Sequence, residues 1–224
     1  MSEQLVFDLP VETAFGRDDF FTSEANAAAV AQIEDWRDWP LGKLVLTGPE
    51  GSGKSHLARI WAAQAGATLA NAADLQDADL DRLGETGAAV EDVPNASAAT
   101  QEALFLVHNL CAARSAPLLL TGRGPAAGWG LTLPDLTSRV AAALEVRVGA
   151  PDDNLLQALF IKLFDDRQIA VTPAVLSQLM LHTDRSFAFV EDLVDRLDKA
   201  ALARKSKVNR TVVRDVLAQM QRTG

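Results

Sequence analysis

The 224-residue chain has a single cysteine, Cys111, which excludes an intrachain disulfide and, set in an apolar run, reads as a small buried side chain. A cytoplasmic setting is the resulting expectation. Histidine is scarce too: His56, His108 and His182 are scattered, with no second cysteine to join them, so no structural metal site is expected. No stretch approaches the apolar length needed to span a bilayer, and "MSEQLVFDLP" lacks both a basic region and a long apolar one. Neither export nor membrane association is expected. Basic charge is also in deficit: a net charge of −9 argues against a protein whose main task is coating duplex DNA, since neutralising phosphate takes clustered Lys and Arg. The deficit is uneven. From Arg196 to Arg222 the basic residues face only Asp198 and Asp215, so this segment carries about +6 and the remainder about −15. A solvated basic helix face is the simpler reading of it, and no strong direct DNA binding is expected.

With 48% hydrophobic residues, the chain can build one full α/β core and a small second domain. Short β-like runs at 43–48, 67–71, 87–93, 117–122 and 144–149 alternate with helical stretches, the pattern of a parallel sheet wound by helices. Helical periodicity covers 52–65, 97–114 and 134–143, the last with Pro134 at a first helical position. Beyond "GAPDD" the pattern changes to helices alone, with turn signals at "VTP", "HTDRS" and "KVNR". The fold class expected is therefore α/β, a core with a parallel sheet flanked by helices, followed by a small all-helical appendage; the motif that makes it a P-loop core lies after the first strand.

"GPEGSGKS", Gly48 to Ser55, satisfies G-x-x-x-x-G-K-[ST] between a strand and a helix, the context that gives this motif its meaning. Gly51, Ser52 and Gly53 turn the backbone so that successive N–H groups face phosphate oxygens, and the helix start adds its positive end beside His56. Lys54 offers a point charge to the β- and γ-phosphates, and Ser55 a hydroxyl for Mg²⁺. Hydrolysis needs carboxylates as well, one for the metal side and one to orient water. "AAVEDV" supplies them in one of two registers. Either Glu91 is the metal-side acid and Asp92 the water-side acid, or Asp92 faces the metal and Val93 stands where a base should be. Both registers weaken turnover.

These features, together with "LPDLTSRV" at 133–140 and the helical appendage, resemble the DnaA-related AAA+ family, which includes the bacterial replication initiator DnaA and short regulatory relatives that inactivate it. The resemblance runs from Gln4 to about Met220. It implies an AAA+ nucleotide-binding domain over 17–150, a helical lid over 151–224 and an N-terminal tail over 1–16. Bound ADP or ATP with Mg²⁺ is implied, without a choice between the nucleotides. Arg139 closes the "LPDLTSR" box where the family carries an arginine that projects into a neighbour's nucleotide site, a cation able to stabilise transition-state charge in trans. Phe20, Phe21 and Thr22 match the adenine-contacting segment, with Asn26 in the matching polar place, and Thr121 holds the polar sensor place. There are departures. Ala188 stands where the family has a lid arginine, Arg185 is the nearest substitute, and Arg123 replaces a common Asp. Connecting structure between Lys54 and Glu91 is short. Such losses would weaken self-catalysed hydrolysis while leaving diphosphate binding largely intact.

"QLVFDLP" carries apolar side chains in a short tail, which need a partner. It resembles the linear motif that docks on the replicative sliding clamp, with Gln4, Leu5, Phe7 and Leu9 as anchors. The reading that follows is a regulator tied to the clamp and acting on the DnaA initiator. No further helix-turn-helix domain is expected after the appendage, an expectation that argues against an initiator. The alternatives are a self-associating, self-sufficient ATPase resembling helicase loaders, and a P-loop kinase, for which no acceptor insert is evident.

Overall fold

The computed structural model describes residues 21–223, and its contacts divide them into two units, one of residues 26–150 and one combining 21–25 with 151–223. The family resemblance implies that residues 21–25 belong with the sheet; in the structure they group with the helical unit.

In the first unit, β1 (Lys43–Thr47), β2 (Thr68–Asn71), β3 (Ala88–Glu91), β4 (Leu118–Gly122) and β5 (Leu144–Arg147) form one parallel sheet in the order β2-β3-β4-β1-β5. The inner strands β1, β3 and β4 are buried along their whole length because both faces are covered, while the edge strands β2 and β5 are partly exposed. One face carries α3 (Leu80–Thr86), α4 (Ala98–Arg114) and α5 (Pro134–Ala141), whose Leu83, Leu104, Val107, Leu136 and Val140 join Val45, Val90 and Leu120 in one cluster. The other face receives α1 (Ala27–Glu34) and α2 (Lys54–Ala65). There Trp61 is fully buried and stacks on Trp39 with ring centroids 5.1 Å apart. Neither α1 nor α3 is anticipated by the sequence reading.

The order places a topological switch at β1. The chain leaves β1 for the far edge, returns through β3 and β4 to its side, then crosses to β5. A crevice outside the carboxyl ends of the strands is the outcome, and such crevices are where α/β sheets bind ligands.

The second unit contains α6 (Asp153–Asp166), α7 (Pro173–His182), α8 (Phe187–Ala203) and α9 (Arg210–Thr223). Asp152, Thr172 and Ser186 cap the first three by accepting from backbone N–H groups of Leu155, Val175 and Phe189, and Asn209 does so for α9 at Thr211 and Val212. The turn signals of the sequence fall at these starts. Phe160, Phe164, Leu179, Leu193, Leu197 and Val213 fill a separate core. Among the described residues no helix is long and apolar enough to cross a membrane.

The phosphate loop and its surroundings

The loop from Gly48 to Gly53 leaves the C-terminal end of β1 and turns into α2. Gly51 (φ 66°) and Gly53 (φ 92°) adopt the left-handed conformation that a side chain resists, and Gly53 is the residue at the start of α2. Gly48 is required for a different reason. A Cβ there would lie 2.3 Å from the Val148 carbonyl oxygen and 3.0 Å from Ser52 Oγ, so the loop runs too close to the end of β5 for any side chain.

Lys54 is buried and its ammonium is turned into the loop, donating to the Gly48 carbonyl at 3.1 Å, the Pro49 carbonyl at 2.7 Å and Ser52 Oγ at 3.4 Å. Burial lowers its pKa, opposed by Asp92, reinforced by Arg123, and opposed again by Glu50 and Glu91. Ser55 and His56 are exposed in the first turn of α2.

The strand-end acids occupy different places. Val90 belongs to the α3/α4 cluster, so strand alternation turns Glu91 to the α2 face beneath the loop. Glu91 is 9% exposed, and its Oε1 is buried with no hydrogen-bond partner among the described residues. A buried, unpaired carboxylate oxygen is costly unless a cation or donor serves it, which fits Mg²⁺ held from Ser55 and Glu91. Asp92 is exposed, sits at φ 57°, and its Oδ2 accepts from Asn71 Nδ2 at 3.5 Å. Of the pair, Glu91 is the inward residue and Asp92 the exposed one, while Val93 is fully buried. Thr121 lies buried near the end of β4, opposite Leu46 of β1.

Within the second unit, Phe21, Thr22, Ser23 and Glu24 line a cavity of about 640 Å³ with residues of α6 and Arg185. Its size is that of a small-molecule pocket. Thr22 Oγ1 is buried in it with no partner among the described residues, a hydroxyl suited to a polar ligand edge. Arg185 Nη2 pairs with Asp153 Oδ1 at 2.9 Å, and Ala188 is exposed in the first turn of α8. Asn26, placed by the sequence beside Thr22, is buried and precedes α1 in the first unit. Phe20 and the tail anchors Gln4, Leu5, Phe7 and Leu9 lie outside the described residues.

Arg139 differs from the expectation of a side chain projecting from the subunit edge. It is half-buried on the last turn of α5 and turned onto α4 of its own chain, where Nη1 donates to Asn109 Oδ1, lies 3.0 Å from His108 Nδ1, and the guanidinium carbon stands 4.8 Å from the centre of the Phe105 ring. Gln101 fixes the approach to this helix: its Oε1 accepts from the backbone N–H of Thr132 at 2.8 Å and of Leu133 at 3.1 Å. None of these α4 residues stood out in the sequence, because a polar residue on a mainly apolar helix carries no local sign of what it meets.

Burial, with Lys43 and then Arg139 adding to it, lowers the His108 pKa to about 4. The ring is neutral at pH 7, and the Arg139 contact requires the tautomer in which Nδ1 accepts. Burial likewise lowers the pKa of Lys43 and pushes that of Cys111 up to about 11. A base whose folded pKa is depressed contributes fully above its unfolded value of about 6.5, and that contribution is lost as pH falls toward 4. Stability is therefore expected to drop by about 2 kcal/mol between pH 7 and pH 4.5 from this group. Chemical denaturation at the two pH values checks this. The drop should shrink in His108→Gln, whose side chain can still accept from Arg139.

Comparison with solved structures finds domain III of the Thermotoga maritima replication initiation protein DnaA, with a TM-score of 0.76 at 14% identity, covering 94% of this chain and 98% of that one. AMPPCP-bound DnaA from Aquifex aeolicus gives 0.64 at 16% identity, with 80% and 63% covered. The Thermotoga maritima RuvB Holliday junction branch migration motor gives 0.62 at 17% identity, with 79% and 61% covered. Against a DNA replication initiation factor with a TM-score of 0.69, the matched region spans 66% of that protein's length, just under two thirds. No protein-family model matches the sequence, and neither does any curated protein. The fold is that of a DnaA-like AAA+ module, an α/β P-loop core followed by a helical unit.

Proposed function

We propose that this chain binds an adenine nucleotide and acts as a regulator of bacterial replication initiation similar to Hda, the DnaA-related inactivator of the initiator. The observation that carries the nucleotide reading is the loop itself. Gly48 is packed against the end of β5, Gly51 and Gly53 are in left-handed turns, and Lys54 and the unpaired Glu91 oxygen converge beneath it. Lys54 and the loop N–H groups would hold the β- and γ-phosphates, with Ser55 and Glu91 as the groups for Mg²⁺, which spreads phosphate charge when bound. Asp92 would be the acid that orients water, but its carboxylate is solvent-exposed and accepts from Asn71. Weak intrinsic turnover follows from that placement.

The regulatory part of the proposal assigns the tail residues Gln4, Leu5, Phe7 and Leu9 to the sliding clamp and Arg139 to the nucleotide site of a DnaA subunit. In the free chain Arg139 is held by Asn109, His108 and Phe105, so action in trans requires the partner to draw it off α4. The test is to mix the protein with clamp, DNA and ATP-loaded DnaA and follow ADP formation. Stimulation that disappears when Gln4 and Leu5 are both replaced by alanine is the expected result, and no stimulation by the parent protein would overturn the regulatory reading.

A second reading, a self-sufficient ATPase, draws on the likeness to RuvB, described as a branch migration motor. Brisk, concentration-dependent ATP turnover by the protein alone would favour it.

A further inference from the structure

Arg123, a departure from the family pattern in sequence, has surroundings of its own in the structure. Arg123 follows β4 at the strand-end crevice. Its backbone is held in place: Trp129 Nε1 donates to the carbonyls of Arg123 and Gly124, both at 3.1 Å. The same indole presses on Gly122, where a Cβ would come within 2.5 Å of the ring, and Gly124 turns the chain at φ 66°. With both flanks fixed, the Arg123 side chain extends into solvent toward the phosphate loop and meets Glu50, Nη1 to Oε2 at 2.8 Å. Glu50 occupies one of the four unspecified positions of G-x-x-x-x-G-K-[ST] in "GPEGSGKS", so the pair ties the turn after β4 to the loop that follows β1.

Two features make this pair an exchangeable one. Its side chains are 61% and 71% exposed, and such surface ion pairs contribute little to stability. A carboxylate at this place also opposes any phosphate that enters the loop, and Arg123 is the cation that offsets it. A phosphate oxygen is a stronger partner than Glu50, because the planar guanidinium fork engages phosphate bidentately.

Resting on the nucleotide-binding reading above, we infer that Arg123 distinguishes triphosphate from diphosphate, leaving Glu50 for the terminal phosphate when a triphosphate occupies the loop and returning to Glu50 when it does not. The arrangement supplies in cis a second cation beside Lys54. Glu50 sets the threshold by competing for it. Discrimination then resides in the sheet unit alone, without a lid arginine.

The test is calorimetric titration of the full chain, with Mg²⁺, using ADP and the non-hydrolysable triphosphate AMPPCP. Arg123→Ala is expected to weaken AMPPCP binding about tenfold while changing ADP binding less than about twofold. Glu50→Gln is expected to strengthen AMPPCP binding several-fold, and most of that gain should vanish when Arg123→Ala is added, a coupling that two independent surface residues would not show. Thermal unfolding should be nearly unchanged in both variants, which keeps a folding defect from imitating the effect. An unchanged ratio of AMPPCP to ADP affinity in Arg123→Ala would overturn the inference while leaving the nucleotide reading intact. Failure of the parent chain to bind either nucleotide would instead remove the reading on which it rests.

Discussion

Replacing Lys54 with alanine is expected to weaken binding of ADP and ATP by about a hundredfold or more, measured by calorimetry or by competition with a fluorescent nucleotide. The cause is charge. Lys54 is the buried cation of the loop, and Asp92, Glu50 and Glu91 all act on it electrostatically. Without it, a phosphate would enter a site lined by carboxylates, with Arg123 as the cation at its rim. Hydrogen bonds to charged groups contribute about 1.5–3 kcal/mol each, so losing one or two with the accompanying repulsion corresponds to about two orders of magnitude. Lys54→Arg should not restore binding, since the broad planar guanidinium does not fit a ring closed by the Gly48 and Pro49 carbonyls. A Lys54→Ala protein that bound both nucleotides like the parent would end the phosphate-loop interpretation.

Arg139→Ala is expected to produce two effects of different origin. The first is a loss of stability of about 1–3 kcal/mol, since the change strips a donor from Asn109 and from the buried His108. Denaturant unfolding measures that. The second, expected from the regulatory proposal, is loss of stimulated hydrolysis by DnaA of about a thousandfold, the scale at which an arginine supplied in trans acts on phosphoryl transfer. Asn109→Ala separates the two: it removes one restraint while retaining the guanidinium, so stability should fall and stimulation should persist or rise. Should Arg139→Ala lower stability yet stimulate as the parent does, Arg139 is a residue that joins α5 to α4, and the site of trans action must be sought elsewhere.

Local signals in the chain determined a large part of this protein. The five strands are readable because short apolar runs bounded by turn residues have few other ways to be buried, and the phosphate loop because glycine spacing dictates backbone conformation directly. The starts of α6 to α9 follow from capping residues that act within three positions of themselves. What escaped was decided by contacts between distant residues. Helices α1 and α3 are short, at 8 and 7 residues, and owe their helicity to packing more than to pattern. The assignment of residues 21–25 to the helical unit, the capture of Arg139 by α4 and the pairing of Arg123 with Glu50 each join parts of the chain that carry no mark of one another. A side chain's chemistry is written in the sequence, whereas its partner is set by how the sheet and helices close around it. At Arg139 those partners are Asn109 and His108, and at Arg123 Glu50, residues distant in the chain that folding brings within reach.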